Sequence, residues 1–294
     1  MRILMTRNIT GMDYQLDCLL HGLRTIDGIE TTDYPRLWYM YSSEFGPGKK
    51  NLSDVYGRGF TMYGHMPDVD VCRDEDEVSY RIRNGYYDLV IMHAHDPGHL
   101  APLVIAHVPP GRIAWIDGVD EQGIVGNAIS MGRYFKRELS APTAGVLPIG
   151  FGFPAEKMSA PMPKTRAVAH CDPRDRSTYI YQTEADYYRG YAESLFGITM
   201  CKAGWDCMRH YEIMAAGCLP WFVDIDLCPE TTCTFLPRPE LSLVNRLAER
   251  IGPASFMQNP LDLAWQEINE QVQSHFRARC TTRALADYFL GHML

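Results

Sequence analysis

The segment Lys202 to Asp224, KAGWDCMRHYEIMAAGCLPWFVD, combines the parts of an anion site within one short unit. Gly204 permits a tight turn and Asp206 can cap a following helix, whose free amides attract an anion. Lys202 and Arg209 add positive charge beside that helix start. Arg209 and Glu212 are three residues apart and so share a helix face. The cation suits a phosphate, and the carboxylate suits a pair of ribose hydroxyls. A surface ion pair at this spacing explains the same letters.

Other clusters offer chemistry of different kinds. HAHDPGH, residues 93 to 99, gathers His93, His95, Asp96 and His99. One loop of this composition can present several metal ligands, orient a hydroxyl in a cleft, or simply cap a strand end. It does not complete the His-x-His-x-Asp-His pattern of metallo-β-lactamase-type hydrolases. The stretch from Trp38 to Tyr63 interleaves Lys49, Lys50 and Arg58 with aromatic rings. Such faces suit sugars or unstacked bases, and equally an insertion packed onto its own domain.

These residues need elements to hold them. Residues 2 to 6 read as a strand, and DYQLDCLLHGLRT (13–25) sets Leu16, Leu19, Leu20 and Leu23 on one helical stripe. A second strand over 29–33, a helix over 75–84, a strand over 87–92, a helix over 100–107 and a strand over 112–116 follow. Gly145 to Ile149 reads as the last strand of this half. The Pro- and Gly-rich segment from Gly150 to Lys164 is a linker. Alternation then restarts with strand 166–171, helix 184–195, strand 197–200, helix 207–216, strand 219–223 and helix 240–251. A helical C-terminus, broken once near 277–282, closes the chain. This pattern predicts an α/β protein with two Rossmann-like domains facing across a cleft. The division is 1–150, 151–275, and a C-terminal helix over 276–294 that packs back on the N-terminal domain.

The pattern G-W-D-x-x-R-x-x-E-x-x-A-A-G-C-L-P over residues 204 to 220 resembles the donor-site signature of GT-B fold glycosyltransferases. DYQLDCLLHGL, WIDGVDE, YFKREL and LPIGFGFP resemble the superfamily more weakly. The resemblance implies that 151–275 binds a nucleotide diphosphate sugar, UDP-linked, through Glu212, Arg209, Lys202, Gly204 and Asp206. Arg174 and Arg176 in DPRDR would then meet the donor diphosphate. Residues 1–150 would present the acceptor. Asp117 and Asp120 in WIDGVDE follow a strand end and are the leading general bases, with Asp13 and His93 as further choices. A turn or a helix cap explains these acids as well, and Asp13 suits the cap of the first helix. His95, His99, Lys49, Lys50 and Arg58 fall on the acceptor side. The superfamily's retaining members carry an acid seven or eight residues before the donor Glu. Here residues 200 to 204 contain none, which favours inversion. No metal and no cofactor is implied. Some phage members act on hydroxymethylated DNA bases, so the acceptor is a glycan, a small molecule or modified DNA.

Composition agrees with a globular chain of this size. The 294 residues are 46% apolar and 22% charged, and the net charge of −8 argues against a broad grip on nucleic acid or anionic lipid. No run of about 18 to 20 apolar residues suggests a membrane span, and the chain reads as cytoplasmic. Nine cysteines without a Cys-x-x-Cys pair read as reduced thiols, mostly in the core. Two other classes stay open: a metal-dependent hydrolase built on the 93–99 loop, and a sugar-nucleotide-binding module without catalysis.

Overall fold

The computed structural model describes residues 1–8, 11–256 and 263–294, with the backbone alone for 251–256. The first half winds strands β1 (Arg2–Thr6), β2 (Glu30–Tyr34), β3 (Leu89–His93), β4 (Ile113–Asp117), β5 (Arg133–Lys136) and β6 (Val146–Pro148) into one parallel sheet. Its order is β2-β1-β3-β4-β5-β6. The strands β1, β3 and β4 are short, mostly apolar runs buried on both faces, as parallel strands under crossover helices must be. Helices α1 (Tyr14–Arg24), α2 (Glu75–Arg83), α3 (Ala101–His107) and α4 (Gly126–Ser130) make those crossovers. The chain leaves β1 for β2 on one side and then returns past it to β3. That reversal opens a crevice beyond the carboxyl ends of β1 and β3, where open sheets of this kind bind ligands.

α1 forms because Asp13 accepts from the amides of Gln15 at 2.8 Å and Leu16 at 3.4 Å, while Leu16, Leu19, Leu20 and Leu23 are fully buried. The second half builds a smaller parallel sheet, β7 (Arg166–Val168), β8 (Ser194–Thr199) and β9 (Leu219–Phe222), in that order. It is crossed by α5 (Glu184–Ala192) and α6 (Met208–Ala215), with α7 (Arg238–Phe256) packed across β7 and β9. Pro220 sits in an edge strand, where its missing N–H is tolerated.

α8 (Leu263–Arg279) ends at Cys280, and Thr281 caps α9 (Thr282–Met293) by accepting from the Ala284 amide at 3.1 Å. α9 lies on α1 at a very close approach: a Cβ at position 22 would stand 1.9 Å from the Thr282 carbonyl oxygen, so only glycine fits there. The linker joins this contact, since the Phe153 amide donates to the Cys280 carbonyl at 2.9 Å and the Thr282 amide donates back to the Phe153 carbonyl at 2.9 Å. One continuous apolar core therefore runs from Leu16 and Leu19 through Phe153 to Tyr211, Phe276 and Phe289.

The structure corrects the expected elements at three places. β5 and α4 were not anticipated, because the strand RYFK begins and ends with a charge. The helix expected over 184–195 stops at Ala192, and Ser194 and Leu195 already belong to β8. β7 is shorter than 166–171, the chain turning into DPRDR soon after. All nine cysteines are free thiols. Among the described residues no helix is long and apolar enough to cross a membrane.

Candidate active site

The loops at the carboxyl ends of β1, β3, β4, β5, β7 and β8 converge on a cleft of about 1110 Å³. On the second-sheet wall, α6 presents Arg209 and Glu212 to it, and the loop after β8 presents Lys202 and Gly204. Arg176 reaches the cleft from the turn after β7. Arg209 lies over the Tyr179 ring at 5.0 Å, and its buried Nε has no hydrogen-bond partner. A buried guanidinium edge without an acceptor is costly unless a ligand supplies one. Among the described residues the Lys202 ammonium donates only to the Tyr179 hydroxyl, at 3.2 Å. The Glu212 carboxylate accepts from the Tyr187 hydroxyl at 2.6 Å and from the Thr61 hydroxyl at 2.5 Å. Two carboxylate oxygens offer about four lone-pair sites, so room remains for a diol.

The opposite wall carries Asp13 and His93 at the β1/β3 crevice. His93 Nδ1 accepts from the amides of His95 at 3.2 Å and Asp96 at 2.9 Å, which leaves the hydrogen of the neutral ring on Nε2. That nitrogen lies 3.1 Å from Asp13 Oδ2. Arg7 adds a cation 3.9 Å from the same oxygen. Burial alone would raise the Asp13 carboxyl, but His93 and Arg7 outweigh it and hold the group below the usual carboxylate range. Asp13 thus meets the cleft as a carboxylate.

Between the walls, Arg137 and Glu138 at the end of β5 join the two halves. Arg137 binds Asp120, Glu138 and the Asp206 carbonyl, and Glu138 accepts from the amides of Trp205 at 3.0 Å and Asp206 at 2.9 Å. Gly204 is glycine because a Cβ there would stand 2.7 Å from Glu138 Oε1 and 2.8 Å from Asp120 Oδ1. This corrects the expected cap: the N-cap of α6 is Cys207, and the Asp206 carboxyl is instead a buried group facing Arg137. Part of the amide cradle expected for an anion is filled by Glu138. Thr61 makes a second junction. Besides Glu212 it meets the Tyr188 hydroxyl at 2.5 Å, and its amide donates to Glu184 at 2.6 Å.

Asp120, Asp13, His93, Arg58, Lys202, Gly204, Asp206, Arg209, Glu212 and Arg176 therefore line one cavity. Six other expected residues do not. Asp117 is fully buried, with Lys136 Nζ at 2.8 Å and the Tyr134 hydroxyl at 2.5 Å, so no acceptor reaches it. His95 turns to Asp117 at 3.1 Å and His99 to Glu75 at 3.1 Å, both outside the cleft. Lys49 donates to the Ser43 carbonyl at 2.6 Å, and Lys50 pairs with Glu44 at 2.9 Å over the Trp38 ring. Arg174 is held by Asp172 at 2.6 Å. The metal reading of the 93–99 loop fails for the same reason, since its three histidines face three separate carboxylates. Arg137, Glu138, Thr61 and Tyr187 had no expected role; YFKREL contains the first two, but its sequence resemblance carried no function for them.

Two parallel sheets meeting across a strand-end cleft, with a C-terminal helix returned to the first half, define a GT-B-like fold. Solved structures agree on that fold. The chain is similar to an α-glucosyltransferase in complex with UDP and a 13-mer DNA containing a central A:G mismatch, at 9% identity and a TM-score of 0.51, covering 99% of this chain and 98% of that one. It is also similar to an O-GlcNAc transferase mutant of Thermobaculum terrenum, at 11% identity and a TM-score of 0.52, covering 100% of this chain and 67% of that one. No protein-family model and no curated protein matches the sequence.

Proposed function

We propose that the protein is a glycosyltransferase that moves a sugar from a nucleotide diphosphate donor, UDP-linked, to an acceptor hydroxyl. The observation that carries this reading is the pairing across one cleft of Arg209 and Glu212, on one face of α6, with the Asp13–His93 pair. Residues 151–275 then form the donor domain and 1–150 the acceptor domain, with 276–294 returning to the latter. Glu212 takes the ribose hydroxyls, while Arg209, Lys202 and Arg176 neutralise the diphosphate as it leaves, without calling on a metal. Asp13 is the general base: it lines the cleft, and its carboxylate, held by His93, takes the acceptor proton as the hydroxyl attacks the anomeric carbon, with inversion. His93 fixes the carboxylate and supports its charge. Asp120, bound to Arg137, is better placed to orient the junction than to receive a proton.

The acceptor we infer is a modified DNA base, in a chain of phage type acting in the cytoplasm. Tyr56 exposes 69% of its surface near Arg58 and Phe60 at the cleft, an aromatic and cationic rim suited to an unstacked base. The fold neighbour solved with UDP and DNA supports the same choice. Calorimetric titration of the full chain with UDP and UDP-sugars tests the donor reading. Binding that Arg209→Ala weakens supports it; a panel of nucleoside diphosphates that all fail to bind rejects it. For the acceptor, transfer to hydroxymethylated DNA should fall steeply with salt, and salt-insensitive transfer to a small acceptor would replace DNA with that class.

A further inference from the structure

A second polar cluster lies outside the cleft, where three segments distant in sequence meet. α1 contributes His21, the aromatic insertion contributes His65, and a short turn of the linker, Ala155–Lys157, contributes Glu156. His21 Nε2 lies 2.9 Å from Glu156 Oε1, and His65 Nε2 lies 3.9 Å from the same oxygen. One ligand atom from each residue falls within 4.8 Å of the others. Among the described residues this is the group of three or more His, Cys, Asp or Glu side chains that converges so closely.

We propose that His21, His65 and Glu156 bind a zinc ion that staples the linker to α1 and the insertion. Zinc ligands at about 2.0 to 2.2 Å in a tetrahedron stand roughly 3.3 Å apart, and the two measured separations bracket that value. His21 Nδ1 is held at 2.9 Å by Thr282 Oγ1, the outer hydrogen bond that aims a ligating imidazole. Neither buried ring nitrogen of His65 reaches a partner in hydrogen-bond geometry, and the Tyr63 carbonyl offers only a weak attraction. Such a ring is costly to bury without an occupant for its lone pair.

Zinc replaces the hydrogen between His21 and Glu156. The neighbouring cation, Lys157, is engaged by Glu184 at 2.7 Å and the Thr61 carbonyl at 3.1 Å. Glu156 is 55% exposed in its side chain, so water completes the fourth position. Two imidazoles and one carboxylate suit zinc and its transition-metal neighbours rather than magnesium or calcium, which take oxygen donors. The site shares no residue with the cleft, so the ion acts by fixing the crossing between the halves.

The test strips metal from the full chain with a chelator and titrates zinc by calorimetry and cobalt(II) by visible absorption. One zinc per chain, four- or five-coordinate cobalt bands and a raised thermal midpoint with zinc are expected. His65→Ala should lower zinc affinity upwards of about a hundredfold and remove the bands, Thr282→Val should lower affinity about tenfold, and His99→Ala should change neither. Circular dichroism checks the fold of each variant. If His65→Ala does not fold, Glu156→Gln on the surface carries the same expectation. Wild-type chain without stoichiometric binding, or binding that survives in His65→Ala or Glu156→Gln, overturns the site.

Discussion

On the first-sheet wall of the cleft, Arg7 stands 3.9 Å from Asp13, His93 meets the same carboxylate at 3.1 Å, and Arg137 is held by Asp120 and Glu138. On the second-sheet wall, Arg209, Arg176 and Lys202 face the same cavity with no carboxylate at ion-pair distance among the described residues. The first arrangement fixes protonation states before a substrate arrives. The second leaves cations whose acceptor must come from outside. Arg176 and Lys202 are exposed to water, but a buried guanidinium edge such as the Arg209 Nε costs free energy unless a ligand supplies its acceptor. The asymmetry suits the proposed transfer, in which an acceptor hydroxyl gives up its proton on one wall and a diphosphate leaves as an anion on the other.

The sharpest way to break this comparison is to contrast two aspartates at the carboxyl end of one sheet, Asp13 in the loop after β1 and Asp117 at the end of β4. Asp13→Asn removes the proton acceptor and should cut turnover by about 10² to 10⁴ while donor affinity is unchanged, with donor hydrolysis as the assay. Asp117→Asn should act on the fold instead. It leaves the fully buried Lys136 without a counter-charge, and breaking such a pair costs about 3 to 5 kcal/mol, read as a lowered denaturation midpoint. Full turnover in Asp13→Asn would move the base to Asp120.

These two aspartates also show what a sequence can and cannot tell. Both follow strands as acids beside turn residues, and the sequence does not say which way a side chain points. The answer depends on strand register: Asp117 pairs across the sheet with Lys136, and Tyr134 lies on that same neighbouring strand. β5 itself was hidden because Lys136 reads as a surface charge until its partner Asp117 on β4 is known. α6 was legible for the opposite reason. Its turn, helix and returning strand are contiguous, so Arg209 and Glu212 share a face by spacing alone. Thr61 lay in a stretch without periodicity, and nothing local marks it as a bridge to Glu212.

The second wall gives effects of intermediate size. Arg209→Ala should weaken binding of a UDP-sugar by about 1 to 3 kcal/mol and that of uridine much less, because its partner is phosphate. Equal losses would place Arg209 elsewhere. Glu212→Gln is the cleaner probe of the ribose contact. The carboxylate also receives the Thr61 and Tyr187 hydroxyls, so truncation to alanine would loosen the junction as well. The amide keeps one acceptor and should lose donor affinity, by calorimetry, with little change in thermal midpoint.

A pH-dependent effect on stability alone belongs to the boundary between the walls, where Asp206 of the second half meets Arg137 of the first. Burial pushes the Asp206 carboxyl up to about 7, against the opposing pull of Arg137 and His210. Arg137 is already shared with Asp120 and Glu138, so its charge does not keep Asp206 ionised. The folded state therefore holds this proton more tightly than the unfolded chain, whose aspartates titrate near 4. Stability from this group is present below about pH 4 and is lost as pH rises towards 7. Asp206→Asn removes that dependence. The thermal midpoint of the variant minus that of the wild type should grow from pH 4 to 7 and level off above it. Subtracting the wild type cancels groups of opposite sign, such as Asp13 and Glu156, whose depressed carboxyls add stability that is lost only as pH falls further. A pH-independent difference would mean that Arg137 pairs with Asp206 as fully as it does with Glu138, and the boundary would then belong to the paired wall.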